Sequence, residues 1–259
     1  MRTCARKRCP VVECYPSPMK LKPVRTPWGD FPLVVIHCAE THVKQHPDYR
    51  AAKAGDAQAA FSLVKATIAE QAVVEIERII GASEVILASA HAVEREGVNA
   101  IPEALADELG GRLGMAVDDG LVQVNIVGHT GANGYARLAR PAGFDGAVVP
   151  DALYVLVDDF IGQGGTLANL KGHIEANGGK VVGATVLTGK PFSAVLAPTD
   201  EQLEALRKKH GKELENWWQD RFGYGFDCLT QSEARYLERS ADADTIRNRI
   251  AEEEQTGNC

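Results

Sequence analysis

The sequence predicts an α/β fold built on a parallel sheet. Between residues 32 and 189, short apolar runs with the length of strands alternate with longer segments of helical periodicity. The run ALYVLVDD is apolar throughout until it ends in two acids. A central parallel strand has this pattern because helices cover both of its faces. Together these observations indicate an α/β class with helices flanking the sheet.

The predicted elements follow in a regular order. Asp56 caps a helix that continues or restarts before Gly81, and Asn99 with Pro102 marks the start of another. Thr166 is the expected N-cap of a third, which stops at Gly178–Gly179. The predicted strands are 32–38, 83–90, 121–127, 152–159 and 180–189, and the predicted helices are 57–80, 101–114 and 166–177.

The chain divides into three predicted regions. Residues 1–30 carry five prolines and are expected to be extended or disordered. Residues 31–197 form the α/β core, and residues 198–259 form a mostly helical extension. Within the extension, Thr230 and Glu233 have the spacing of a capping box.

Composition excludes several functional classes. The 259 residues carry a formal net charge of −7, which gives no global electrostatic reason to bind nucleic acid or an anionic membrane. No apolar run approaches the roughly 20 residues of a membrane-spanning helix, and the basic N-terminus lacks the apolar core of a secretory signal. We therefore expect a cytoplasmic protein whose six cysteines are free thiols.

The stretch LVDDFIGQGGT, residues 156–166, is the main candidate site. In a parallel sheet, ligands bind at the carboxyl ends of strands, and the N-terminus of the following helix attracts phosphate. The glycines would let the backbone approach an anion closely. Carboxylates beside a phosphate site suit the hydroxyls of the same ligand, so the stretch indicates a sugar phosphate.

Two familiar phosphate motifs do not fit this stretch. A P-loop needs a lysine after its glycines, and none follows here. A dinucleotide fingerprint needs a third glycine that GQGGTL lacks.

YVLVDDFIGQGGT resembles the phosphoribosyl pyrophosphate (PRPP) motif of type I phosphoribosyltransferases. The motif comprises four apolar residues, two acids, two apolar residues and a glycine-rich loop. The resemblance as a whole covers about residues 83 to 190. The resemblance implies that the chain has the type I phosphoribosyltransferase fold and is a Mg²⁺-dependent transferase. Such an enzyme passes the ribose 5-phosphate group of PRPP to a nitrogen nucleophile. We expect a nucleobase in that role, and the sequence does not identify which one.

The resemblance also implies residue roles. Asp158 and Asp159 would bind the ribose hydroxyls, and through them or water would contact Mg²⁺ indirectly. The loop that would hold the 5′-phosphate consists of Ile161, Gly162, Gln163, Gly164, Gly165 and Thr166. Gly162 departs from the hypoxanthine-type enzymes, which carry an aspartate there, and Gln163 replaces a usual Thr or Ser.

Cations elsewhere are candidates for the leaving group. Arg95 lies in AHAVEREGVN, where the family binds pyrophosphate; a solvated loop charge is the alternative. VGHTGANGYARLAR occupies the place of the family's flexible catalytic loop, with His129, Thr130, Arg137 and Arg140 as candidates. Of these, His129 and Arg137 are the predicted catalytic residues, although His129 could be an ordinary turn residue.

Three questions stay open at this point. The aromatic residues of the C-terminal extension could stack on a base, or form a small core, which the sequence favours. The site could serve a non-catalytic PRPP-binding regulator instead of an enzyme. A homodimer is possible, and nothing in the sequence requires it. The aromatic residues are Trp217, Trp218, Phe222, Tyr224 and Phe226.

Overall fold

A computed structural model describes residues 23–90, 93–94, 97–125 and 133–256. Its centre is a five-stranded sheet in which every pairing is parallel. The strands in order across the sheet are Val35–Cys38 (β1), Lys180–Gly189 (β9), Leu153–Ile161 (β8), Val85–Ser89 (β2) and Ala116–Asp118 (β5). Helices cover both faces, so the predicted α/β class is confirmed.

The element boundaries are as follows. The strands are β1 (Val35–Cys38), β2 (Val85–Ser89), β3 (Val93–Glu94), β4 (Gly97–Val98), β5 (Ala116–Asp118), β6 (Val122–Gln123), β7 (Phe144–Asp145), β8 (Leu153–Ile161) and β9 (Lys180–Gly189). The helices are α1 (Glu40–Gln45), α2 (Tyr49–Lys53), α3 (Ala57–Thr67), α4 (Glu70–Ile80), α5 (Ile101–Leu113), α6 (Gly134–Ala139), α7 (Gly165–Ala176), α8 (Asp200–Phe222), α9 (Gln231–Glu238) and α10 (Ala243–Thr256).

Each face of the sheet has its own hydrophobic core. On one face, α3, α4 and α5 pack against alternate residues of β8 such as Val155 and Val157. On the other face, α7 packs against the intervening residues Tyr154 and Leu156. The period of two along β8 explains why its apolar run is continuous: both sets of side chains are buried.

The C-terminal helices have a third core, which contains the aromatic cluster. Trp218 and Phe226 are fully buried there, and Phe222 lies against Trp218 with ring centroids 4.4 Å apart. Leu138 of α6 joins the same core. The aromatic residues therefore form the core of the extension, the interpretation that the sequence favoured.

Two helix predictions need refinement. The segment 57–80 forms two helices, because Ile68 and Ala69 are extended and the Ala69 N–H donates to His37 Nδ1 at 3.4 Å. Two short helices, α1 and α2, precede Asp56 and were not predicted as helices. Asp56 does cap α3 by accepting from the Ala59 N–H at 3.0 Å.

The predicted strand 121–127 is wrong as a member of the parallel sheet. Its described part contains only β6, which pairs antiparallel with β7 outside the main sheet. Val122 and Val124 are exposed, so the alternating pattern there has one face in solvent. The fifth strand of the sheet is β5, which begins two residues after the left-handed Gly114 at the end of α5.

No helix in the described part of the chain is long and apolar enough to cross a membrane. The division into residues 1–30, 31–197 and 198–259 stays a prediction. Residues 23–30 have no helix or strand, yet Arg25 and Trp28 are buried.

Candidate functional site

The candidate site lies where β8 extends beyond its neighbour β2. The β2 pairing ends at Ser89 opposite Val157, whereas the β9 pairing continues to Ile161 opposite Gly189. Beyond Val157, the side of β8 that faces β2 therefore has no partner strand among the described residues. Sheets of this class bind ligands in such crevices at the carboxyl ends of their strands.

Asp158 and Asp159 lie at this crevice. The sequence placed them at the end of the strand, but β8 continues through both of them to Ile161. Asp158 is 7% exposed, and one of its carboxylate oxygens accepts the Asp159 N–H at 2.8 Å. Asp159 accepts from the ammonium of Lys53, with 3.0 Å between Nζ and Oδ2. The two acids thus have different partners although they are adjacent in sequence.

The pKa of Asp158 lies well above its ordinary value. Burial is the main cause, and the neighbouring charge of Asp159 raises the pKa further. The Asp159 N–H and the charge of Lys53 offset only part of this rise. Asp158 therefore takes up a proton more readily than an ordinary aspartate, while the Lys53 ammonium pairs with the Asp159 carboxylate.

The glycine loop leads from β8 directly into α7. The N-cap of α7 is Gly164, with φ 81°, so the predicted Thr166 cap is wrong by two residues. Gly164 brings no capping side chain, and the first N–H groups of a helix have no acceptor within it. A β-carbon at Gly164 would lie 2.5 Å from Leu196 Cδ2, so both the backbone angle and the space require glycine.

Hydroxyls from the C-terminal part of the chain fix the backbone of this loop. Ser193 Oγ donates to the carbonyl of Gly162, and Thr230 Oγ1 donates to the carbonyl of Gln163. These bonds give two loop carbonyls hydrogen-bond donors from residues outside the loop. The loop is therefore held in one conformation before any ligand arrives, which lowers the entropic cost of binding.

Arg137 lies beside the same loop. A β-carbon on Gly162 would be 2.8 Å from Arg137 Nη1, so the guanidinium occupies the space that an aspartate would fill there. Burial lowers the pKa of Arg137 from its ordinary value, but an arginine remains charged. The structure thus brings Arg137 to the predicted phosphate loop.

α6, which carries Arg137, is anchored by the extension. Its Tyr135 ring meets the Tyr236 ring of α9 edge-on, with centroids 5.0 Å apart. Asn133 caps α6 by accepting the Ala136 N–H at 2.9 Å. Residues 133–140 of the predicted flexible loop are therefore a packed helix and its caps.

A buried ion pair lies against Gly165 of the loop. Arg25 and Glu233 pair at 2.6 Å, with 2% and 3% of their side chains exposed. A β-carbon on Gly165 would lie 2.9 Å from Glu233 Oε1 and 3.4 Å from Arg25 Nη2. Although burial alone would lower the pKa of Arg25, the Glu233 carboxylate raises it above its ordinary value.

Glu233 also completes the predicted capping box. Its side chain accepts the Thr230 N–H at 2.9 Å, while Thr230 Oγ1 accepts the Glu233 N–H at 3.1 Å. One carboxylate thus caps α9 and binds the guanidinium of Arg25. The N-terminal segment, the extension and the glycine loop meet at this point.

Other predicted site residues have different outcomes. Arg95, His129 and Thr130 lie outside the described residues. Arg140 contacts Glu253 of α10, with 3.4 Å between the guanidinium and the carboxylate. Ile161 is buried at the end of β8.

The Mg²⁺ prediction is untested, but the acid pair does not suit direct ligation. No group of three or more His, Cys, Asp or Glu side chains in the described ranges could hold a metal ion. Moreover, an oxygen of Asp159 is already engaged by the Lys53 ammonium.

Several residues at this site escaped prediction. Lys53 lies 106 residues before Asp159, and its segment HPDYRAAKAGD carries no recognisable motif. Arg25 lies in the proline-rich segment that we expected to be a tail. The capping-box spacing did reveal Thr230 and Glu233, but it gave no sign that they reach the loop.

Comparisons with known proteins bear directly on function. The protein named TraN from Escherichia coli is 42% identical over 227 residues, which are 88% of this chain and 51% of TraN. An uncharacterized protein of Haemophilus influenzae is 37% identical over 169 residues, 65% of this chain and 37% of that protein. The chain therefore spans about half the length of TraN and less of the second relative. No family model matches the chain.

These findings correct the expected function. A relative that matches 88% of this chain carries the name TraN, and this name does not denote a phosphoribosyltransferase. The predictions of a PRPP-dependent transfer reaction, of transferase activity and of a role in nucleotide metabolism are therefore wrong. The family resemblance, the PRPP partner, a possible homodimer and the cytoplasmic location are untested and stay predictions.

Proposed function

We propose that this chain is a ligand-binding domain that holds a phosphorylated sugar at the carboxyl end of β8 without transferring it. The phosphate binds at the glycine loop and the start of α7. The sugar hydroxyls bind at Asp158 and Asp159. PRPP is the ligand that the family resemblance suggests, and ribose 5-phosphate is its simplest fragment.

One observation carries the proposal: groups suited to both ends of such a ligand meet at a single crevice. The uncapped N-terminus of α7 favours an anion, and the Arg137 guanidinium lies against Gly162. Asp158 and Asp159 are next to this loop in sequence and are hydrogen-bond acceptors for hydroxyls. Both departures from the family motif, Gly162 and Gln163, lie in the loop, where backbone N–H groups supply the donors.

The arrangement around β8 also supports the finer fold assignment. A strand that carries an acid pair, a glycine-rich turn and a helix follow one another as in the type I phosphoribosyltransferase motif. We therefore also propose that the chain shares the architecture of the type I phosphoribosyltransferases. Function is decided by the site, and one architecture serves many functions.

Calorimetry with the full chain tests the proposal. Ribose 5-phosphate and PRPP are titrated into the protein, with ribose and inorganic phosphate as partial ligands. Because binding uses both ends of the ligand, we expect the whole ligands to bind at least about tenfold more tightly than either part. No measurable binding of either whole ligand would overturn the proposal. Pyrophosphate is assayed in parallel, and none should be released from PRPP.

Two variants assign the ends of the ligand. The double substitution Asp158→Asn with Asp159→Asn should weaken ribose 5-phosphate binding by about tenfold and leave phosphate binding unchanged. Arg137→Gln should weaken both. Arg140→Gln is the matched control, because that arginine contacts Glu253 on α10. Unchanged ribose 5-phosphate affinity in the double variant would refute the hydroxyl site.

A further inference from the structure

Lys53 is an internal cation at the acid pair. Its ammonium lies 3.0 Å from Asp159 Oδ2, and the side chains of Lys53 and Asp159 are 17% and 13% exposed. A lysine is seldom this buried without a specific partner. The contact joins α2, near the start of the chain, to the candidate site on β8.

The fold holds the Lys53 segment in place from both sides. Ala52 is fully buried in the core that α3, α4 and α5 form on one face of the sheet. Its carbonyl accepts the Ala100 N–H at 3.1 Å. Gly55 approaches the segment before α5 so closely that a β-carbon would lie 2.9 Å from the Val98 carbonyl oxygen. The end of α2 is therefore fixed, and the ammonium is positioned before a ligand binds.

Another polar group on this side of the sheet, the Ser89 hydroxyl, lacks a hydrogen-bond partner among the described residues. Ser89 is fully buried at the end of β2, and its hydroxyl has no hydrogen-bond partner within the described part of the chain. It pairs in register with Val157, two residues before Asp159. Since Leu87 and Val157 pack in the same core as Ala52, alternation places Ser89 on the face from which Lys53 approaches. A buried hydroxyl of this kind is expected to find a polar partner.

A divalent cation does not fit this arrangement. Mg²⁺ requires near-octahedral oxygen ligands at about 2.0–2.1 Å, and the Asp159 oxygen that faces Lys53 is taken by an ammonium. The lysine also supplies a positive charge beside the acids. The ammonium therefore offsets the negative charge of the acids, as a metal cation bound to the carboxylates would.

We propose that Lys53 takes the place of a metal ion at the acid pair, so that the sugar hydroxyls bind there without a divalent cation. The hydroxyls donate to the carboxylate oxygens that Lys53 leaves open, and Ser89 Oγ supplies a further hydrogen bond. This inference rests on the proposed function for its ligand, but the claim about the metal does not.

The test compares the unmodified full chain with Lys53→Met, which keeps a long side chain and removes the charge. Ribose 5-phosphate is titrated by calorimetry in EDTA and again in excess Mg²⁺. For the unmodified chain we expect the same affinity in both. For Lys53→Met we expect roughly a tenfold loss in EDTA, which Mg²⁺ restores at least in part. A requirement for Mg²⁺ in the unmodified chain, or an unchanged affinity of Lys53→Met in EDTA, would overturn the inference.

A direct metal measurement separates this inference from the proposed function. Mn²⁺ is the probe, and its free concentration is followed by electron paramagnetic resonance. Lys53→Met should gain one bound Mn²⁺ relative to the unmodified chain, and adding Asp159→Asn should remove it. If Lys53→Met gains no Mn²⁺, the lysine does not occupy a metal position, whatever happens with the sugar. If no sugar binds but the Mn²⁺ results hold, only the proposed function fails.

Lys190→Met is the matched control for charge loss. Lys190 also pairs with a carboxylate, Glu40, but on the surface with 46% of its side chain exposed. Removing this charge should change neither the Mn²⁺ stoichiometry nor the sugar affinity. Circular dichroism and thermal unfolding are measured for all variants to check that each is folded.

Discussion

The acid pair and the glycine loop are neighbours at the end of β8, yet different parts of the chain hold them. Lys53, from an early helix, neutralises Asp159 at the acid pair. At the loop, Ser193 and Thr230 bind the backbone, and Glu233 with Arg25 covers it. The loop thus depends on the C-terminal extension, whereas the acid pair depends on α2. The two halves of the site can therefore be disturbed separately.

The largest expected effect is on the loop side. Glu233→Ala leaves the Arg25 guanidinium buried without its carboxylate, so we expect a loss of about 3–5 kcal/mol in the free energy of unfolding. Urea denaturation measures this loss. Glu75→Ala removes the carboxylate of the exposed Arg78 pair and should have little effect. A similar small effect for Glu233→Ala would show that the extension does not stabilise the loop.

Gly164→Ala should have the next largest effect. It places a β-carbon 2.5 Å from Leu196 Cδ2 and strains a backbone angle of φ 81°. We expect a destabilisation of about 1–3 kcal/mol. Gly223→Ala is the matched control, because its φ of 88° is similar but nothing lies within 4 Å of the added carbon. Equal losses for the two variants in thermal unfolding would show that the contact with Leu196 is unimportant.

The acid pair should respond to pH in a way that distinguishes its members. Because the folded pKa of Asp158 is raised, the folded state binds more protons than the unfolded state between the two pKa values. The contribution of Asp158 to the free energy of unfolding therefore falls as the pH rises above about 4, which is the pKa of this group in the unfolded chain. Asp158→Asn should stabilise the protein at pH 7, and this gain should disappear below the unfolded pKa.

Asp159→Asn should have the opposite effect at pH 7. It removes the carboxylate that pairs with the poorly exposed Lys53, so the free energy of unfolding should fall. Urea unfolding of both variants at pH 7 and pH 3 measures the contrast. If both substitutions shift stability in the same direction at pH 7, the assigned division of charge between the two acids is wrong.

Gly162→Ala should have the smallest effect on stability. The added carbon meets the end of a flexible side chain, Arg137 Nη1, at 2.8 Å, and that side chain can move aside. We expect a change below about 1 kcal/mol, with a measurable loss of phosphate affinity. A large loss of stability would mean that Arg137 cannot move and serves the fold more than the ligand.

Local signals in the sequence predicted much of the fold. Continuous apolar strands and alternating helices established the α/β class, and Asp56 and the Thr230–Glu233 box predicted helix caps correctly. One strand prediction failed because its pattern allowed two arrangements. The alternating segment 121–127 could have belonged to the main sheet or to a separate pair of strands, and only packing favours the latter.

Sequence alone specifies the acid pair, the glycine loop and their order in the chain, because these features are contiguous and their chemistry depends on residue type. Tertiary structure decided their partners. Lys53 reaches Asp159 across 106 residues, and Glu233 reaches Arg25 across 208. Contacts at such separations leave no periodicity or spacing in the sequence. They arise only when segments from both ends of the chain pack around the sheet, and they set the charge and rigidity of the site.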